Sequence, residues 1–173
     1  MNLLEQDKCR YQGKMPFFHM CFRKVQMTNF PLSKCSWKML YKISAYFLGI
    51  DIGLKLKAGG GLYFGHPFGI TVNPDAVIGN NVNLHKGVTI GVENRGKRKG
   101  TPVIGNNVWI GINATIVGNI TIGNDVLIAP NTLVNFDVPD HSIVVGCPGI
   151  IKSVSNATEG YINNVVNVCE VGK

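Results

Sequence analysis

One histidine stands out as a candidate for chemistry because of the residues around it. His66 lies in the stretch "GGGLYFGHPFG", residues 59–69, which contains five glycines. Residues without side chains let a substrate approach a neighbouring group closely. Imidazole titrates near neutral pH, so it can take up or release a proton during a reaction. His66 is therefore a residue whose chemistry needs an explanation, and the bland alternative is a histidine that only shapes a turn.

The elements that must position this histidine follow a period of six. From Ile70 onward, one apolar series contains Ile78, Leu84, Ile90, Ile104, Ile110, Ile116, Ile122, Ile128 and Val134. Two residues before each member comes a second series of Ala76, Val82, Val88, Pro102, Val108, Ala114, Ile120, Val126 and Thr132. Neither an α-helix nor a hairpin has this period, whereas short strands joined by tight corners do. Three hexads predict one triangular coil, and stacked coils would enclose a column of these side chains.

Polar residues mark where the coils turn and where the repeat is interrupted. The pairs at 80–81, 106–107 and 124–125 are Asn or Asp, which tolerate the left-handed backbone of tight corners. Ile90 and Ile104 are fourteen residues apart instead of six, so about eight extra residues leave the coil as a loop. Its basic cluster, Lys97-Arg98-Lys99, is either functional or a solvated tip.

The other histidines and the cysteines give weaker signals. His85 directly follows the inward-facing Leu84, so its side chain is predicted to point outward. We expect His141 to be structural, and His19 has no context that supports a role. The Cys and His residues have no metal-ligand spacing, so no metal site is expected.

The first 48 residues differ from the rest in composition and charge. Residues 1–58 carry ten Lys/Arg against three Asp/Glu, whereas residues 59–173 carry seven of each. Helical spacing places Trp37, Leu40, Ile43, Tyr46 and Phe47 on one apolar stripe, which is predicted to pack against the rest of the protein. The alternative is a basic amphipathic helix that rests on a membrane surface. Nucleic acid is not expected as a partner, because no aromatic stacking platform accompanies the basic residues.

Composition also bears on location. The five cysteines are odd in number and form no C-x-x-C pair, which favours reduced thiols over a disulfide framework. Glu5 and Asp7 lie where a signal peptide would be positively charged, and the apolar run at 43–50 is far shorter than a membrane span. We therefore expect a cytoplasmic protein.

Four stretches carry a resemblance to a known family. They read "IDIGLKLKAGGGLYFGHPFG", "VIGNNVNLHKGVTIG", "VIGNNVWIGINATIVGNITIGNDVLIAPNTLV" and "DVPDHSIVVGCPGIIK". Residues 50–151 resemble the hexapeptide-repeat acyltransferases, in the branch of serine acetyltransferases and related capsular or exopolysaccharide acetyltransferases. The resemblance implies a mainly β fold: a left-handed parallel β-helix, a triangular prism, over residues 49–151 with a loop at 91–102. A helical segment at 1–48 and a tail at 152–173 would flank it.

The resemblance also implies roles for particular residues. Because other hexapeptide acyltransferases use a histidine in such a coil, His85 is a second catalytic candidate. His66 would be the general base of an acetyl transfer from acetyl-CoA to a hydroxyl, and Asp51, fifteen residues earlier, would orient its imidazole. The backbone N–H groups near Gly91 and Val92 would stabilise the oxyanion. A homotrimer with its sites between subunits is implied. Coenzyme A would be bound by Gly111, Ile112, Ala129, Pro130 and Lys152, assisted by Lys97 and Lys99.

Two departures from the family pattern bear on the acceptor. Gly65 stands where serine acetyltransferases have an acidic residue before the histidine, and Gly100-Thr101 replaces an Arg-His pair. A pocket without charged groups recognises an amino acid poorly. We therefore expect a sugar or a polysaccharide precursor as the acceptor, as in polysaccharide biosynthesis. Serine is the first alternative, and a non-catalytic trimeric scaffold is the second.

Overall fold

Three helices precede the repeat in the computed structural model, which describes residues 1–167. They are α1 (Leu3–Arg10), α2 (Phe17–Met27) and α3 (Pro31–Phe47). Asn2 caps α1, since its side-chain oxygen accepts a hydrogen bond from the Glu5 N–H at 3.0 Å. Pro31 begins α3, where a missing N–H costs nothing. The apolar inner faces of α2 and α3 join the core of the first coils.

Fifteen short strands wind into a left-handed, three-sided β-helix of about five turns. Sheet A contains β1 (Asp51–Ile52), β4 (Thr71–Val72), β7 (Thr89–Gly91), β10 (Thr115–Val117) and β13 (Leu133–Val134). Sheet B contains β2 (Lys57–Ala58), β5 (Val77–Ile78), β8 (Val103–Ile104) and β11 (Thr121–Ile122). Sheet C contains β3 (Tyr63–Gly65), β6 (Asn83–His85), β9 (Val108–Ile110), β12 (Val126–Ile128), β14 (Ser142–Val145) and β15 (Ile150–Ser153). All pairs are parallel except β14 with β15.

Both hexad series lie inside the prism, as the sequence predicts. Every member of the two series is buried, and Leu84, Ile90 and Ile110 have no exposed surface. The corners are also as expected, because Asn81, Asn107 and Asp125 all have φ between 52° and 55°. The predicted mainly β fold, a β-helix preceded by a helical segment, is confirmed.

The β-helix begins earlier than the hexad pattern suggests. Ile52 and Phe64 face inward like the later hexads. Phe64 and Val72 are eight residues apart instead of six, so the first coil has two extra residues. In the strand register Phe64 pairs with Leu84, twenty residues later, whereas Val72 pairs with Ile90 after eighteen. The two extra residues bulge outward beside His66. Because they interrupt the period of six, the hexad pattern does not extend to the first coil.

The prediction for the stripe on α3 is partly wrong. Trp37 and Leu40 do pack against the core. Ile43, Tyr46 and Phe47, however, are at least half exposed. The helix is fastened instead by Tyr41, which is buried and whose hydroxyl donates to the Ile52 carbonyl at 2.6 Å. The face of α3 that carries Tyr41 and Ala45 is therefore the inner one.

The C-terminal tail returns along the outside of sheet C. Asp125 holds it, because its carboxylate accepts hydrogen bonds from the N–H groups of Ala157 and Thr158, both at 3.0 Å. Residues 168–173 of the tail expected at 152–173 lie outside the described part of the chain. Within the described part, no helix is both long and apolar enough to cross a bilayer.

Candidate active site

His66 occupies the bulge at one edge of the prism. We call the corner where the chain passes from sheet C to sheet A the C–A edge, comprising residues 66–70, 86–88, 111–114 and 129–132. His66 is exposed and has a φ of 52°, so the backbone is left-handed there. Its carbonyl accepts from the Phe68 N–H at 2.8 Å, and Gly69 N–H donates to the Leu48 carbonyl at 2.9 Å. This loop therefore rests on the end of α3 and presents an accessible imidazole.

His85 lies one coil further along and is the register partner of Gly65, the residue before His66. Its Nδ1 is 3.0 Å from the Ile110 carbonyl, which can only accept, so Nδ1 carries the proton and Nε2 keeps a lone pair. Partial burial lowers the pKa of His85, the bond to Ile110 works against this, and a charge on His66 lowers it further. Its ring packs on Trp109 with centroids 4.6 Å apart. The site thus holds a second, neutral imidazole with a fixed tautomer.

A side chain at position 65 would overlap the ring of His85. The two residues are partners in the register of β3 and β6. A β-carbon at residue 65 would lie 2.5 Å from Nε2 of His85, closer than non-bonded atoms approach. Residue 65 must therefore be glycine while His85 keeps this position, and Nε2 of His85 faces the strand that leads to His66.

Asp51 lies at the same edge as His66 but is not bonded to it. Asp51 begins β1, is exposed, and its N–H donates to the Ile70 carbonyl at 2.9 Å. No hydrogen bond joins its carboxylate to the His66 ring anywhere in residues 1–167. Burial raises the pKa of Tyr41, and the negative charge of Asp51 raises it further. Catalytic hydrogen bonds are often long without substrate, so the pair remains a candidate.

Gly91, Val92 and the loop lie at the opposite side of sheet A. We call this corner, where the chain passes from sheet A to sheet B, the A–B edge. Glu93 and Gly100 close the loop with a two-residue antiparallel bridge, and Lys97 and Lys99 are exposed on it. The Val92 N–H follows the last residue of β7 and donates to no acceptor in the described chain. Within one chain, the Val92 N–H and the two lysines therefore lie at a different edge from His66.

The remaining candidates for coenzyme A lie along the C–A edge, above His66 and His85. The N–H groups of Asn113 and Asn131 donate to the carbonyls of Lys86 and Ile112, at 2.9 Å each, so these corners stack in one column. Ile112 and Pro130 are exposed on the column, and Ala129 is half-buried. Gly111 also has a packing reason, because a β-carbon there would lie 2.7 Å from the Pro130 nitrogen. Lys152 is exposed on β15, at the end of sheet C.

A groove on the outer face of sheet C ends at His85. Its volume is about 740 Å³, and we call it the sheet-C groove; its lining includes Arg10, Lys14, Tyr63, Asn83, His85 and Tyr161. Arg10 is fixed at its base, donating to the Gly61 carbonyl at 2.7 Å and to Asn83 Oδ1 at 2.6 Å. The described residues that line it include no Asp or Glu. No single sequence motif could predict this groove, because its walls come from separate parts of the chain.

Comparisons with known proteins agree with this architecture. Residues 101–135 match the family model "Bacterial transferase hexapeptide (six repeats)". Over 114 residues, 66% of this chain, the sequence is 39% identical to a serine acetyltransferase of Staphylococcus aureus. The serine acetyltransferase of Neisseria gonorrhoeae, solved in complex with serine, superposes with a TM-score of 0.69 at 30% identity over 86% of this chain and 67% of that one. This chain belongs to the hexapeptide-repeat acyltransferases, in the serine acetyltransferase-like branch.

Two further facts qualify the likeness to this family. The chain spans only 54% of the length of the Staphylococcus aureus enzyme. A serine acetyltransferase solved in complex with CoA has a TM-score of 0.65 at 30% identity, over 78% of this chain and 55% of that one. Gly65 stands where an acidic residue is expected for a serine acetyltransferase, and the His85 ring fills the space beside it.

Sequence reasoning missed a buried cluster that joins the helices to the first coils. His19 and Asp7 have no exposed surface, and Nε2 of His19 is 2.9 Å from the Asp7 carboxylate. Arg23 Nε donates to the same carboxylate at 2.6 Å. The sequence offered no context for His19, and the structure shows that this residue is a structural link. Its partners come from α1 and α2, and no local spacing announces such a contact.

Proposed function

We propose that this protein is an acetyl-CoA-dependent O-acetyltransferase in which His66 is the general base. The observation that carries the proposal is the exposed imidazole at the C–A edge, on the fold of the serine acetyltransferase-like branch. An alcohol is a weak nucleophile at neutral pH, so its transfer chemistry needs a base within hydrogen-bond reach. His66 is accessible, and its glycine-rich surroundings leave room for an acceptor.

The reaction would proceed through a tetrahedral intermediate. His66 takes the proton of the acceptor hydroxyl while that oxygen attacks the thioester carbonyl carbon. The C–S bond then breaks, the acetyl group stays on the acceptor oxygen, and the imidazolium returns its proton to the departing thiolate. Asp51 would stabilise the imidazolium and fix its orientation once the acceptor is bound.

The acyl donor would lie along the C–A edge. The likeness to a serine acetyltransferase solved with CoA supports acetyl-CoA as this donor. Ile112, Ala129 and Pro130 would line its path, and Lys152 would neutralise its phosphates. The unpartnered N–H of Val92 is suited to the developing oxyanion, since such donors act where charge appears.

The site would be shared between protomers of a homotrimer. Within one chain, the proposed base lies at the C–A edge, whereas Val92, Lys97 and Lys99 lie at the A–B edge. Sheet A separates the two edges. Placing the A–B edge of one protomer against the C–A edge of the next would bring the two sets together, and repeating this contact closes a ring.

Serine is the acceptor that the relatives support best. A serine acetyltransferase at 39% identity and a neighbour solved with serine both favour it over the sugar expected from the sequence. A second candidate, a sugar hydroxyl, is favoured by one feature of this chain. Next to His66 the sheet-C groove carries an imidazole and two basic side chains but no carboxylate for an ammonium group, as far as residues 1–167 define it.

An acceptor panel tests the function and separates the two acceptors. Release of the CoA thiol is measured with acetyl-CoA and serine, monosaccharides or nucleotide sugars. Thiol release with serine supports the first acceptor, and release with a sugar supports the second. Absence of acetyl-CoA binding in calorimetry would contradict the enzyme and favour the non-catalytic scaffold. Loss of release in His66→Ala with unchanged acetyl-CoA binding would tie the activity to this site.

A further inference from the structure

The outer face of α3 carries large apolar side chains that no described residue covers. Its members are Leu32 (73% exposed), Met39 (59%), Ile43 (50%), Tyr46 (82%) and Phe47 (77%). Their spacings of 7, 4, 3 and 1 residues place them on one side of the helix, and we call them the outer stripe. A contiguous apolar face of this kind marks a surface that binds something.

Lysines accompany the outer stripe along one flank. Lys34, Lys38 and Lys42 follow one another at intervals of four and are all exposed. From residue 8 to residue 50 the chain contains eight Lys or Arg and no Asp or Glu. The surface around the stripe therefore has positive charge and no negative charge to balance it.

The charge decides which partner suits this surface. A second copy would bring its own lysine row against the first, and like charges without acidic partners repel. A bilayer with anionic headgroups neutralises the lysines and accepts the apolar side chains at the same time. Tyr46 and Phe47 are also of the aromatic class that suits the boundary between headgroups and acyl chains.

We propose that the outer stripe and its lysine row dock this protein on the surface of an anionic lipid bilayer. The helix would lie in the plane of the interface, because α3 is short and its inner face is already fixed to the first coil through Tyr41. The Leu48 carbonyl, just past α3, accepts from Gly69 of the His66 loop. Docking would therefore hold that loop, with its exposed Phe68, close to the headgroups.

Vesicle flotation with the full chain tests this proposal. The protein is mixed with vesicles of phosphatidylcholine alone or with phosphatidylglycerol added. Binding is expected only to the anionic vesicles, and it should weaken as salt screens the charges over about 10 Å or less. Changing Lys34, Lys38 and Lys42 to Gln is expected to lower the partition coefficient at least about tenfold. Changing Ile43, Tyr46 and Phe47 to Ser should have a similar effect, because the stripe loses its apolar contacts.

Matched controls keep the outcomes distinct. Changing Lys97, Arg98 and Lys99 to Gln removes the same amount of charge from the A–B edge, and Ile150→Ser removes an exposed apolar residue from β15. Both controls should bind vesicles like the wild type. Equal binding to neutral vesicles, or unchanged binding by the α3 variants, would overturn the proposal. A lower mass for the Ser variant than for the wild type in light scattering would also overturn it, since the stripe would then bind a second copy.

Discussion

His85 fills the space that a side chain at position 65 would need, because the two residues are partners in neighbouring strands. The likeness to serine acetyltransferases shows the fold and the family, whereas the packing of Gly65 against His85 is a feature of this structure. Since Nε2 of His85 keeps its lone pair, the pair offers an acceptor of hydrogen bonds beside the proposed base. A substrate hydroxyl could donate to either imidazole.

The packing of this pair can be measured by substitution. Gly65→Ala is expected to lower the free energy of unfolding by about 1–3 kcal/mol, because the new methyl group meets the His85 ring. In a His85→Ala background the same change should cost much less. Urea unfolding of the four proteins gives the coupling between the two sites. If the effects of the two substitutions on the free energy of unfolding are additive, the methyl group at position 65 does not meet the His85 ring.

Asp51 gives a second prediction at this scale. Asp51→Asn should lower kcat at least about tenfold while the KM for the acceptor changes little, because the carboxylate acts through the His66 imidazole. Asp51→Glu should recover part of the loss, since the charge is kept. Steady-state kinetics over a range of acceptor concentrations separates the two constants. A rise in KM with unchanged kcat would instead assign Asp51 to substrate binding.

Residue types predicted some of the site and not the rest. The hexad pattern gave the outward direction of His85 correctly, because alternation in a strand is a local property. The link between His19 and Asp7 could not be predicted, since it depends on how α1 and α2 pack. Predicting the packing of His85 against Gly65 also requires the strand register. The two extra residues near His66 change the separation of register partners there from eighteen residues to twenty.

At the scale of elements, the helices are joined to the β-helix by a hydrogen-bonded relay. The Phe64 N–H donates to the Tyr11 hydroxyl at 2.5 Å, and that hydroxyl lies 3.2 Å from Nδ1 of His19. Nε2 of His19 therefore carries the proton, and it lies 2.9 Å from the Asp7 carboxylate. Burial lowers the pKa of His19, and the hydrogen bond to Asp7 only partly offsets this. His19 is thus held neutral in the folded protein.

This relay predicts how stability depends on pH. The unfolded chain binds a proton at His19 near its ordinary pKa of about 6.5, whereas the folded chain does so only at lower pH. The contribution of neutral His19 to the free energy of unfolding is therefore complete above a pH of about 6.5. It is lost as the pH falls below about 6.5, by up to about 1.4 kcal/mol per pH unit. His19→Gln should flatten this slope, and His66→Gln, at an exposed position, should not. Equal slopes for the wild type and both variants in urea unfolding would contradict the relay.

The elements themselves were largely readable from the sequence. Period six specified inward and outward positions from residue 76 to residue 134, because each coil repeats the same local geometry. The stripe of α3 was read less well. Trp37 and Leu40 face the core, but the helical spacing alone could not distinguish a packed face from an open one. The helix has apolar residues on both sides, with lysines between them.

In the whole molecule, the proposed site combines two edges from different protomers. We expect light scattering to give three times the monomer mass. Two damaged variants should then restore each other, one lacking the His66 imidazole (His66→Ala) and one lacking the Val92 N–H (Val92→Pro). In mixed trimers formed at equal amounts, about a quarter of the sites combine an intact C–A edge with an intact A–B edge. Activity in coexpressed mixtures, absent from either variant alone, is the expected result. No recovery would place both groups in one chain's site.

The role of His66 as the general base is tested most directly by measuring kcat/KM for thiol release by the His66→Ala variant. We expect a loss of about 100-fold or more, with acetyl-CoA affinity and oligomeric mass unchanged, because only proton transfer is removed. His141→Ala, a change at an exposed histidine far from this edge, serves as the control. A variant that keeps the wild-type kcat/KM would contradict the assignment of His66 and with it the proposed mechanism.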